Sequence, residues 1–157
     1  MQQQQKVMEF KNVDEVLDYA IKKEEEAHDF YTGWSKKIED RSLAQVFEEL
    51  AVEELGHKQF LLGVKKGATL KPSAREITDL KISDYMVIGK ASTDMDYQDA
   101  LTLAMHREKA AFQLYTRLAA MSTDKEMKDT FKSLAQEEAK HKLRLELIYD
   151  EEILKDN

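Results

Sequence analysis

Residues 53–58 read EELGHK, and residues 137–142 read EEAKHK. Each places a histidine three positions after a glutamate, in a segment whose apolar residues recur at steps of three and four, the period of one helical face. Glu54 follows Leu50 and His57 precedes Leu61; Glu138 follows Leu134 and His141 precedes Leu145. Each ionisable pair therefore stands on the line that should face the core, where an uncompensated charge is costly. Positions i and i+3 share a helical face within one turn, close enough to hold one metal ion between them.

Two more stripes are interrupted in a related way. A first helix is expected from Val13, with Asn12 as its N-cap and Glu15 as box partner. Its stripe of Val13, Val16, Leu17, Ala20, Ala27, Trp34 and Ile38 passes through Glu24, with Tyr31 after Ala27. The second helix, opening after Asp40 or Ser42, carries Leu43, Val46, Phe47, Leu50, Leu61 and Val64. It runs out at Lys65, Lys66 and Gly67, basic residues then glycine, as helix C-termini prefer. The third starts near Asp94 or Asp96, with Leu101, Ala104, Ala111 and Leu118 on a stripe broken by Glu108 and followed to Tyr115. The fourth opens at Thr123, with Glu126 as box partner, and carries Met127, Phe131, Leu134, Leu145 and Ile148.

Residues 1–11 read as a polar N-terminal tail. The segment from about 67 to 93 holds the single proline, Pro72, and an apolar cluster of Ile82, Tyr85, Met86, Val87 and Ile88. A connection of that length can run along a bundle and join two parallel helices. Four long helices, two short turns and one long crossover predict an all-α fold over residues 1–157, a single ferritin-like four-helix bundle.

The interruptions repeat. Glu24 and Glu108, Tyr31 and Tyr115, Glu54 and Glu138, and His57 and His141 all lie 84 positions apart (108 − 24 = 84), as do Leu17 and Leu101, and Phe47 and Phe131. The chain is two copies of one helical hairpin, and the shared polar positions imply a site on the pseudo-twofold axis between them. Four buried carboxylates need a counter-charge. Two divalent cations supply it, and two neutral imidazoles complete the set: one Glu from each of two helices and Glu-x-x-His from the other two. Tyr31 and Tyr115 are candidates either for touching those carboxylates or for packing with a hydrogen-bonded tip. His28, whose repeat mate is Phe112, is expected to pack at the rim, and His106 to be exposed. Glu25, Glu26, Glu53 and Glu137 fall off the stripe and are expected on the solvated face. Gly56 raises the question whether the helices approach closely there.

Composition narrows the function. The net charge of −7 argues against nucleic acid and anionic membranes as partners. The absence of cysteine excludes disulfides, iron–sulfur clusters and Cys-bound zinc. No apolar run approaches a transmembrane span and MQQQQKVMEF carries no signal-peptide core, so a cytoplasmic location is expected.

Taken together, Glu24-x6-Tyr31, Glu54-x-x-His57, Glu108-x6-Tyr115 and Glu138-x-x-His141 resemble the erythrin motif of the rubrerythrin family, from about residue 10 to 150. The resemblance implies a non-haem di-iron centre in which Glu54 and Glu138 bridge, Glu24 and Glu108 are terminal ligands, and His57 and His141 bind one iron each. It implies reduction of hydrogen peroxide, and of dioxygen. Manganese and zinc fit the same ligands. Rubrerythrins proper carry a rubredoxin domain with cysteine-bound iron. This cysteine-free sequence has none, so a separate donor such as a rubredoxin-type protein is expected. They also place an extra glutamate one turn after the third-helix ligand, where Ala110 and Ala111 stand here. His57 and His141 are therefore expected to stay bound in both oxidation states. A ferroxidase or iron-handling role and a non-catalytic metal-stapled bundle are the alternatives. Hairpins joined by a long crossover can exchange between chains, which favours a homodimer.

Overall fold

The computed structural model describes residues 12–67 and 96–154. The first helix, α1 (Val13–Lys37), is capped by Asn12, whose side chain accepts from the Glu15 amide at 2.9 Å. Its first turn carries Asp14 and Glu15 and its last Lys36 and Lys37, each opposing the local end of the helix dipole. The second, α2 (Arg41–Gly67), follows a short turn, with Asp40 accepting from the Leu43 amide at 3.2 Å. The third, α3 (Tyr97–Met121), is capped by Asp96. The fourth, α4 (Lys125–Tyr149), is capped by Asp124 rather than by the expected Thr123, and ends in one π-helical turn, Asp150–Leu154. The shift is one residue. The Asp124 carboxylate reaches the Met127 amide and so satisfies a free donor of the first turn. The N-terminal tail and the body of the expected crossover lie outside the described residues.

α1 packs on α2, and α3 on α4. The hairpins face each other with α1 antiparallel to α3, because Tyr31 reaches Glu108 while Tyr115 reaches Glu24. α2 opposes α4 in the same sense, since Glu53 meets His141 and His57 meets Glu137. It follows that α2 and α3 are parallel, the relation a long crossover can serve.

The core has two apolar clusters. One gathers Leu17, Leu61, Tyr115, Leu118, Phe131 and Leu134; the other gathers Tyr31, Phe47, Leu50, Leu101, Ala104 and Leu145. Repeat mates fall in opposite clusters: Leu17 with Leu101, Phe131 with Phe47, Leu61 with Leu145. The pseudo-twofold axis therefore crosses the bundle and exchanges its ends, and what lies between the clusters lies on the axis. Among the described residues, no helix is long and apolar enough to cross a membrane.

Close packing does not explain Gly56. A Cβ built there meets nothing within 4 Å. Because glycine in a helix interior costs about 0.5–1 kcal/mol relative to alanine, Gly56→Ala should stabilise the protein by that amount. The expected rise in Tm is about 1–4 °C. A thermal melt showing destabilisation would mean that something covers this face.

Candidate metal centre

Between the two apolar clusters sit six ionisable residues, one from each of α1 and α3 and two from each of α2 and α4. Glu24, Glu54, Glu108 and Glu138 are at most 2% exposed, and His57 and His141 are 5% exposed. The sequence placed all six inward, and the structure brings them together. Ligand atoms of Glu24, Glu54, His57 and Glu138 lie within 4.8 Å of one another, and so do those of Glu54, Glu108, Glu138 and His141. Glu54 and Glu138 belong to both groups.

The inner imidazole nitrogens mark these two points. His57 Nδ1 is 2.6 Å from Glu138 Oε1 and 3.6 Å from Glu24 Oε2. His141 Nδ1 is 3.0 Å from Glu54 Oε1 and 3.5 Å from Glu108 Oε2. Yet Nδ1 of both histidines, Oε2 of Glu24 and Glu108, Oε1 of Glu54 and both oxygens of Glu138 are buried without a hydrogen-bond partner. Buried polar atoms rarely stay unsatisfied. Here all six residues aim such an atom at one of two shared points, the donor set that two divalent cations of mixed oxygen and nitrogen affinity require. The residues fit a metal pair.

The remaining atoms of the same side chains are held in place. The Tyr31 hydroxyl donates to Glu108 Oε1 at 2.6 Å, and the Tyr115 hydroxyl donates to Glu24 Oε1. Each tyrosine thus orients the carboxylate of the other hairpin and leaves Oε2 turned inward. Burial, then the charge of Glu108 beside Tyr31 and of Glu24 beside Tyr115, pushes both phenols well above their ordinary range, so they stay donors.

Glu53 and Glu137 lie on the solvated face, as expected, and do more there than the sequence showed. Both carboxylates are half exposed, at 54%, as a solvated face requires. Nevertheless Glu137 Oε2 lies 2.5 Å from His57 Nε2, and Glu53 Oε2 lies 2.6 Å from His141 Nε2. With Nε2 donating outward, the Nδ1 lone pair faces the centre, the arrangement that fixes tautomer and ring orientation in metal-bound histidines. A signal was available: 53 and 137 obey the same 84-residue offset (137 − 53 = 84) as the residues beside them. His28 takes the expected rim position, with Nδ1 2.8 Å from the Ala51 carbonyl, and His106 is exposed.

Without metal, the core answers its charge problem with protons. Burial first, then the charges of Glu108 and Glu24, raises Glu54 well above the usual carboxylate range; Glu138 is raised the same way by burial and by Glu108 and Glu54. Burial would also raise Glu108, but the closeness of Glu138 and His141 outweighs it and leaves that carboxyl lowered. For His141, burial opposes the charged form, while the adjoining carboxylates of Glu108 and Glu54 prevail and hold it at about 11. His57 is raised too, against burial, by Glu24 and Glu137.

A rubrerythrin family model matches residues 15–149. Among solved structures, the chain is similar to a protein from Thermotoga maritima described as a ferritin-like diiron-carboxylate protein. The TM-score is 0.72 and the identity 22%, over 92% of this chain and 98% of that one, a likeness of fold. A search of curated proteins found no match to the sequence.

The raised groups fix the sign of a pH effect in the metal-free protein. Glu54, Glu138, His57 and His141 all bind protons more tightly folded than unfolded. Their contribution is complete below the unfolded values and is lost as pH rises through the folded ones. Chelator-treated protein should therefore melt higher at about pH 5.5 than at about pH 8. Glu108, being lowered, acts in the opposite direction only below its ordinary value of 4.5. A Tm that falls steadily from pH 8 to pH 5.5 would contradict the proton-filled core.

Proposed function

The chain belongs to the rubrerythrin family, and from that premise we propose that it is a di-iron oxidoreductase that reduces hydrogen peroxide, and dioxygen as a second oxidant. The observation that carries this reading is the convergence of unpartnered buried atoms from Glu24, Glu54, His57, Glu108, Glu138 and His141 on two shared points. In this reading Glu24, Glu54, His57 and Glu138 would hold one iron, and Glu54, Glu108, Glu138 and His141 the other. When bound, two ferrous ions would supply a pair of electrons to an O–O bond in one encounter.

The protein's own part is positioning and exclusion of water. Tyr31 and Tyr115 keep the terminal carboxylates aimed, and Glu137 and Glu53 keep the imidazoles in the tautomer that binds metal. The apolar clusters above and below close the centre along the bundle axis. Reducing one hydrogen peroxide to two waters consumes two electrons and two protons. The electrons must return from a separate one-electron donor, for which a rubredoxin-type protein is proposed.

Metal analysis should give about two irons per chain, with retention dependent on the six residues. Chain loaded with ferrous iron should consume hydrogen peroxide and turn over with an added reductant, whereas Glu54→Ala with His57→Ala should not. Iron uptake far beyond two per chain would make iron the substrate instead and defeat the proposal. Glu53→Ala and Glu137→Ala should each weaken metal affinity about 10–100-fold in a chelator competition. Unchanged affinity in both would remove those residues from the centre.

A further inference from the structure

The two seams of the bundle differ. The α2–α4 seam is occupied by the histidines and by Glu53 and Glu137 outside them. The α1–α3 seam is lined instead by Ala20 and Ala27 from α1 and Ala110 and Ala111 from α3, around a cavity of about 40 Å³. Glu24, Glu54, Glu108 and Glu138 line that cavity as well, whereas neither histidine does. Ala27 is buried and Ala111 half-buried, while Lys23, also on the lining, is exposed, so the cavity leads from the surface to the carboxylates.

Symmetry shapes this passage. Ala27 and Ala111 are repeat mates (111 − 27 = 84), and so are Lys23 and Arg107 (107 − 23 = 84). Each hairpin thus contributes one symmetry-matched alanine and one cation. Lys23 is paired with Glu26 at 3.3 Å, and the Arg107 guanidinium lies over the Phe30 ring at 5.3 Å. Arg107 adds a cation at the rim, but the carboxylates on the same lining outnumber it, so charge does not select here, and a neutral molecule passes without hindrance from either sign. Size is selective. Since about 10–15 Å³ of such space admits one water, the cavity has room for about three or four small non-hydrogen atoms, fewer than an alkyl hydroperoxide with a branched alkyl group carries.

We infer that the α1–α3 seam is the access route for a small neutral oxidant, sized for an O–O pair, and that Ala27 and Ala111 set its bore. The inference rests on the di-iron reading above and adds to it the route and the two residues that limit its size, so that an alkyl hydroperoxide is excluded.

Nitric oxide, neutral and diatomic, is the probe, followed by its absorbance on ferrous-loaded full-length protein without oxygen. Ala27→Val with Ala111→Val should slow nitric oxide binding at least about tenfold with iron still at two per chain. Ala44→Leu, in a separate cleft near Ser35 and Gln45, should bind at the native rate. Native-rate binding in the double variant would overturn the route. Should the valines impair folding, Ala111→Gly carries the test, because it only removes atoms. It should raise the rate with tert-butyl hydroperoxide, relative to hydrogen peroxide, at least about tenfold, and an unchanged ratio would also overturn the proposal. Slowed nitric oxide binding in a protein that never consumes peroxide would instead sink the peroxide-reducing reading and leave the seam standing.

Discussion

Four carboxylates converging in the dry middle of a helical bundle are the constraint that everything else in this molecule accommodates. Left alone they would repel one another and lose their hydration, at a cost no apolar contact nearby could offset. The structure places two imidazoles among them and holds every outward-facing atom of four of the six side chains by a specific donor or acceptor. What remains unheld is a set of inward atoms at two points. A centre arranged in this way is unfinished without cations or protons, and both solutions are chemically coherent.

Duplication makes that arrangement economical. One hairpin supplies Glu, Tyr, Glu and His in a fixed order; the second repeats them 84 residues later (141 − 57 = 84). Because the axis between the copies exchanges the ends of the bundle, each hairpin completes the other. Tyr31 orients Glu108 and Tyr115 orients Glu24; Glu53 holds His141 and Glu137 holds His57. The polar bonds that shape the centre therefore also join the hairpins, so docking of the two halves and formation of the site are the same event.

The repeat is not perfect, and its departures have local consequences. His28 bonds the Ala51 carbonyl where its mate is Phe112, which packs beside the apolar cluster around Leu114. Glu26, which pairs with Lys23, has Ala110 as its mate, so only one side of the α1–α3 rim is neutralised. Such differences lie at the edge of the centre. The six inward residues and their two tyrosines keep the symmetry intact.

The sequence by itself determined the helices, the two hairpins and the six inward residues. Each follows from local rules: apolar spacing fixes which face is buried, a short polar side chain ahead of a stripe fixes where a helix begins, and an ionisable residue in register with leucines must face inward. The same rules put Glu53 and Glu137 on the solvated face without showing what they reach, located the fourth cap one residue early at Thr123, and left Tyr31, Tyr115 and Gly56 undecided. Helical spacing gives the direction of a side chain relative to its own axis, but not what the neighbouring helix presents opposite it. Glu53 points along a solvated face and still reaches across the seam, because its flexible stem can follow the imidazole of the other hairpin. The tyrosines could be matched to their carboxylates only once the antiparallel register of α1 and α3 was known. Only the tertiary structure decided these contacts, since each depends on the relative height of two helices that no local spacing encodes.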